Sequence, residues 1–169
     1  VDEERNLLLA APYYTNQLEV IRHIAKSLPI GYKLYVKENP AQVIRYWRSI
    51  SEYKDIMEIP NVRLIHPNFP AEKIYENCSL VITIGGSSGL DATFYQKPSI
   101  IFSDLGYSIL PSVSRLNNIE NLPNLIQESL EKKVSSDDLD KYLNFLYENS
   151  FDFNPMDFEN KCNTFFYYD

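Results

Sequence analysis

Residues 80–102 read LVITIGGSSGLDATFYQKPSIIF, and this stretch decides the fold. Residues 80–84 are a continuous apolar, β-branched run, the pattern of a parallel strand covered on both faces. Gly85 and Gly86 allow a sharp turn without a Cβ penalty. Ser87 and Ser88 stand where a helix begins, one placed to cap it while hydroxyls and amides point outward. Residues 89–96 supply one to two helical turns, Lys97-Pro98 end them, and 99–102 re-enter the sheet. A helix start at the carboxyl end of a parallel strand favours an anion, so phosphate is the first ligand to consider. The plainer alternative is a βα turn with a good cap and no ligand. The stretch is neither GxGxxG nor GxxxxGK[ST], and no lysine follows the glycines, which argues against ATP or GTP hydrolysis.

Working outward, the alternation of strand and helix continues on both sides. Residues 6–11 (NLLLAA) read as a buried strand closed by Pro12, and Thr15 as the cap of a helix to about Leu28. Residues 32–38 (YKLYVKE) alternate as a second strand. A long helix is expected over 41–58, with Val43, Ile44, Trp47, Ile50 and Tyr53 inward, then a strand at 61–65 and a short helix at 71–77. Beyond Phe102 come a polar loop at 103–107, a last strand at 112–116, and helices at 122–132 and 137–147, the second capped by Ser135 or Ser136. The aromatic tail 151–169 is expected to hold a helix at 156–166 that packs back on the domain or on a partner. This order predicts an α/β fold, a Rossmann-like doubly wound parallel sheet with helices on both faces.

Composition narrows the function. The chain of 169 residues suits one domain spanning 1–169, with 150–169 a tail. It is 44% hydrophobic and 23% charged, as globular chains are. A net charge of −7 without a basic stripe argues against nucleic acid as a partner. Cys78 and Cys162 lack metal-ligand spacing and read as reduced thiols, and the sequence contains no run long enough to span a membrane. A cytoplasmic location is the expectation. The sheet expected to start at residue 6 gives the chain the look of an excised domain.

Three loops fall at the carboxyl ends of strands, at 37–40, 85–89 and 103–107, the rim where open α/β sheets bind ligands. They carry Lys37, Glu38, Asn39, Pro40, Gly86, Ser87, Ser88, Gly89, Asp91 and Asp104. That set is hydroxyls, amides, one lysine and carboxylates, with no metal cluster and no Ser-His-Asp spacing. His23 reads as a structural or surface residue, and His66-Pro67 ends a different strand from the rim lysine.

KLYVKENP at 33–40, followed by the 80–102 stretch, resembles the capsular polysaccharide biosynthesis family of glycosyltransferases. That family is similar to bacterial Kdo transferases and, more distantly, to GT-B sialyltransferases; the likeness covers about residues 6–111. The resemblance implies the C-terminal, donor-binding half of a two-domain GT-B enzyme, with an N-terminal acceptor domain, holding the base, that would precede Val1. It places the family's K-x-H-P motif on Lys37, Glu38, Asn39 and Pro40, its phosphate-binding Ser-Ser/Thr pair on Ser87 and Ser88, and its usual glutamate on Asp91. Asn39 departs from the family's histidine, exchanging a cationic donor for a neutral amide. The implied donor is a CMP-activated acidic sugar, with no cofactor or metal, Asp91 or Asp104 meeting ribose or base edges, and a glycan as acceptor. Peripheral membrane association of the full-length protein stays open, and the isolated chain is expected to be inactive. Two rivals remain: a non-hydrolysing nucleotide-sugar epimerase, and a degenerate module that binds nucleotide, or nothing, and serves assembly.

Overall fold

The structure is a computed structural model that describes residues 9–40, 48–154, 156–158 and 160–162. Its elements follow in the order α1 (Gln17–Ser27), β1 (Leu34–Lys37), α2 (Ile50–Met57), β2 (Val62–Ile65), α3 (Ala71–Asn77), β3 (Val81–Thr83) and α4 (Ser88–Phe94). Then come β4 (Ser99–Ile101), β5 (Val113–Arg115), α5 (Leu122–Leu130) and α6 (Ser136–Glu148). Short 3-10 turns occupy Pro12–Tyr14, Gly106–Ile109 and Ile119–Asn121. Every described strand pair is parallel, β1 with β2 and β3 with β4 with β5. The fold is α/β and Rossmann-like.

Helices cover both faces of the larger sheet because β4 is apolar on both. Ile100 packs with Phe102 against Val20 and Ile24 of α1 and Leu122 and Ile126 of α5. Its neighbour Ile101 faces the other way, toward Tyr107, Leu110, Val113 and Tyr142 of α6. Both isoleucines are fully buried, and consecutive residues of a strand point to opposite faces. Buried serines pair with one another or with backbone: Ser114 with Ser129 at 2.9 Å, and Ser99 onto the Gly89 carbonyl at 3.0 Å. No buried hydroxyl among those is left to lose its hydration uncompensated. A smaller core of Ala25, Ile56 and Val62 lies under β1 and β2.

Several expectations are corrected. The described strands form two sheets rather than one, of two and three strands. Of the strand expected over 6–11, residues 6–8 lie outside the described residues, whereas Leu9 and Ala10 are helical and Leu9 is exposed. Leu and Ala favour helix, and NLLLAA has no β-branched residue to oppose them. The link between the sheets is α1, which contributes Val20 and Ile24 to one core and Ala25 to the other. Its cap is Asn16, whose side chain accepts from the Glu19 amide at 3.1 Å, rather than Thr15.

Within the helix expected over 41–58, Val43, Ile44 and Trp47 lie outside the described residues. Ser49 is extended, and it opens α2 with a reciprocal capping box to Glu52. Ile50 is consequently exposed, and Ile56 is the residue that turns inward. Ser135 occupies the cap position of α6 without a side-chain bond. Gln96, in the left-handed region at φ 56°, and Pro98 stop the chain after α4. The tail is helical at 156–158 and 160–162. Its exposed rings Phe151, Phe153 and Phe158 pack on each other, rather than back on the domain.

Candidate functional site

The loop 85–89 leaves β3 with its backbone held from beneath by hydroxyl groups. The Ile84 carbonyl receives the Phe102 amide, the Ser103 amide and the Ser103 hydroxyl, at 3.1, 3.0 and 2.8 Å. The Gly86 amide donates to Thr83 Oγ1 at 3.1 Å, and the Tyr107 hydroxyl donates to the Gly86 carbonyl. Close approach explains two of the glycines. A Cβ at Gly85 would lie 2.9 Å from Ser103 Oγ, and one at Gly89 would lie 2.8 Å from the Tyr107 oxygen.

The upper surface of the loop is unsatisfied. Ser87 sits at the N-cap of α4 in αR conformation, so its side chain does not cap the helix as expected from the sequence. Among the described residues, the hydroxyls of Ser87 and Ser88 have no hydrogen-bond partner, nor do the amides of Ser87, Ser88 and Gly89. Ser87 is exposed, Ser88 partly so, and Gly89 buried. Donors that are neither capping nor internally bonded are available to an anionic ligand.

Two of the three loops expected at the rim, 85–89 and 103–107, are joined by these bonds. Within 103–107, Asp104 is exposed and ion-paired with Arg115 at 2.8 Å, and it also accepts from Ser108 at 3.2 Å. Asp91, one turn into α4, receives the Tyr75 hydroxyl at 3.5 Å. Burial, and then the Asp91 charge, push the Tyr75 phenol up to about 12. The same two causes, with Tyr142 after them, push Tyr107 up to about 12. Both phenols are therefore protonated donors throughout the neutral range.

The third loop, 37–40, follows β1 in the smaller sheet. Glu38 is buried, and its carboxylate is held by Arg48 Nε. Arg48 also donates to Gln17 Oε1 and stands 3.9 Å from the Glu52 carboxylate. The Glu38 carboxylate is thus part of an internal charge network. Lys37 is partly buried and points its amine at the Glu38 carbonyl at 3.5 Å, while Asn39 and Pro40 are exposed. Residues 14–17, from the end of the 3-10 turn to the start of α1, lie between this loop and the others. Gln17 meets Arg48 on one side, and Tyr14 stacks edge-on against Phe102, centroids 4.8 Å apart, on the other.

Sequence reasoning missed the supports: Thr83, Ser103 and Tyr107 under the glycine loop, and Arg48 with Gln17 behind Glu38. The signal available for Tyr107 was Gly89, a helical position where the absence of Cβ called for a close neighbour. His66 is exposed, and its Nδ1 accepts the Asn68 amide at 3.1 Å. Among the described residues, no group of histidine, cysteine, aspartate or glutamate is arranged to hold a metal. No described helix is long and apolar enough to cross a membrane.

The chain matches the family described as capsule polysaccharide biosynthesis protein over residues 11–149, a span that holds both sheets and all three loops. It belongs to that family. Membership ties the domain to capsule synthesis. No curated protein and no solved structure matches the chain significantly. A hollow of about 460 Å³, among Arg22, Lys26, Asp55, Glu58 and Asn61, lies at the amino-terminal end of β2, away from the loops.

Proposed function

We propose that this domain binds the nucleotide-sugar donor of a glycosyltransferase that builds capsular polysaccharide. In this reading the donor is a CMP-activated acidic sugar, and the domain is the C-terminal half of a GT-B enzyme in the cytoplasm. The supporting observation is the set of outward donors on 87–89, held over a buried hydroxyl floor in a capsule-biosynthesis family member. The hydroxyls of Ser87 and Ser88 and the amides of 87–89 receive the donor phosphate. They stabilise the charge that grows on it as the bond between sugar carbon and phosphate oxygen breaks. Lys37 and Asn39 approach from the loop after β1, and Asp91 serves the ribose or base edge. The acceptor glycan's hydroxyl forms the new bond, and its proton passes to a base on an N-terminal acceptor domain.

The test is calorimetry with CMP, UDP and GDP on the wild type and on Ser87→Ala combined with Ser88→Ala. The expected result is a preference for CMP and a loss of about 1–3 kcal/mol in the double variant, from bonds to a charged group. Unchanged affinity in the double variant returns 85–89 to a plain βα turn. A second reading, a nucleotide-binding module without turnover, is favoured by Asn39, a neutral amide at the position of the family's histidine. Sugar transfer by the full-length protein would remove it.

A further inference from the structure

We propose that Tyr107 is a positioning residue for the anion-binding face of the 85–89 loop, acting through the Gly86–Ser87 peptide. The inference rests on the reading of that loop as a phosphate site, and its geometry is independent of which nucleotide binds. Tyr107 lies in the 3-10 turn after β4 and is 7% exposed. Its ring packs beside Ile101, Leu110 and Val113. From beneath the loop its hydroxyl donates to the Gly86 carbonyl.

No described peptide bond is cis, and in a trans peptide the carbonyl and the following N–H point in opposite directions. Holding the Gly86 carbonyl inward therefore aims the Ser87 amide outward, onto the face that carries the two free serine hydroxyls. A second contact makes the arrangement specific. A Cβ at Gly89 would stand 2.8 Å from the Tyr107 oxygen and 3.1 Å from its ring. The phenol thus occupies the space that a glycine leaves at the second position of α4. Thr83 and Ser103 hold the neighbouring backbone groups, the Gly86 amide and the Ile84 carbonyl. Tyr107 is the support that bears on the peptide presenting the Ser87 donor. Deprotonation does not compromise it at neutral pH, because burial, and then the Asp91 charge, keep the phenol in its donating form.

The experiment compares the wild type with Tyr107→Phe, which keeps the ring and its packing and removes only the hydroxyl. CMP and cytidine are the probes, by calorimetry, with amide NMR of 85–92 as a ligand-free readout. The expected result is about a fivefold loss of CMP affinity, the scale of one ordinary hydrogen bond, with cytidine affinity unchanged. The Ser87 and Ser88 amide signals should broaden or shift while those of Ala92 stay in place. Gly89→Ala should lose CMP affinity in both backgrounds, and less when Tyr107→Phe is already present, because the hydroxyl contact at 2.8 Å is then gone while the ring at 3.1 Å and Ile101 at 3.2 Å remain. Unchanged CMP affinity in Tyr107→Phe, or equal losses for CMP and cytidine, overturns the proposal. If the wild type binds CMP no better than cytidine, the phosphate reading itself fails. The NMR then decides the positioning role: unmoved Ser87 and Ser88 signals in Tyr107→Phe overturn it, and displaced ones support it.

Discussion

The loops after β1 and after β3 end equivalent strands, yet they are held by opposite chemistry. Behind β3, neutral hydroxyls of Thr83, Ser103 and Tyr107 grip the backbone. The central strand of their sheet, β4, is buried throughout, although β3 is only partly covered. Behind β1, an ion pair grips a side chain: Glu38 is tied to Arg48, which reaches on to Gln17 and Glu52. There the strands are only partly covered, and among the described residues the buried centre is Ala25, Ile56 and Val62, with partly buried Leu18, Ile21, Leu34, Val36, Ile59 and Leu64 packed around it. Hydroxyl-to-backbone bonds fix where peptide dipoles point and ignore salt. A buried charged pair fixes one carboxylate, and losing either partner strands the other's charge. The first arrangement suits a surface that must present donors accurately, and the second suits a wall beside it.

The largest effect that probes this contrast is a matched pair of cavities. Ile100→Ala should cost about 4 kcal/mol and Ile56→Ala about 2 kcal/mol in urea denaturation, the two ends of the usual range for such truncations. Both side chains are at most 1% exposed. The difference arises because the neighbours of Ile56 are mostly partly buried side chains that can move into the space, while Ile100 is enclosed by buried ones. Equal losses would erase the distinction between the two halves.

Next in size is Arg48→Ala. It leaves Glu38 buried without its cation, and a broken buried pair costs about 3 kcal/mol. The loss should shrink when Glu38→Gln is added, since the stranded charge is then gone. Full additivity of the two changes would show that the pair is not what holds the loop.

The smallest effects separate the halves by pH. A phenol whose folded pKa is raised stabilises the fold fully below its ordinary value near 10 and loses that stabilisation as pH rises toward about 12. Tyr75 and Tyr107 belong to the β3 side, while Tyr53 of α2, on the β1 side, is raised as well by burial and then by the Glu38 charge, so both sides should loosen in alkali, with three late phenols in a spectrophotometric titration. Glu52 is the reverse case. Backbone and side-chain bonds from Ser49 hold its carboxyl below 4.5, with Arg48 adding to them. Its stabilisation is present above that value and fades as pH falls through the lowered one. Amide shifts of Ser49 and Glu52 should therefore move in acid before those of Gly86 and Ser87. Simultaneous movement in acid would refute the division.

What the sequence disclosed follows the same division. The run 80–102 was legible because uninterrupted β-branched residues and a Gly-Gly-Ser-Ser turn have few other structures open to them. The helix at 71–77 was equally plain, with a proline before it and a polar break after. NLLLAA misled because apolar length was weighed above the helix preference of Leu and Ala. The candidate site was legible in its upper surface, where Ser87 and Ser88 are local features. Its supports were not, since Tyr107 and Arg48 act across 21 and 31 residues, on Gly86 and Gln17 respectively. Such pairings depend on which elements end up adjacent, and a strand-by-strand reading does not contain them.

The position of α1 carries a consequence for how the molecule comes apart. Its one apolar stripe supplies Val20 and Ile24 to the core of one sheet and Ala25 to that of the other. Neither sheet can shed this helix without exposing its neighbour's interior. The cost of opening one half is thus shared by both, and the chain behaves as one cooperative unit despite having two sheets. Amide hydrogens along the buried face of α1, at Val20, Ile24 and Ala25, would then exchange only when both cores open together.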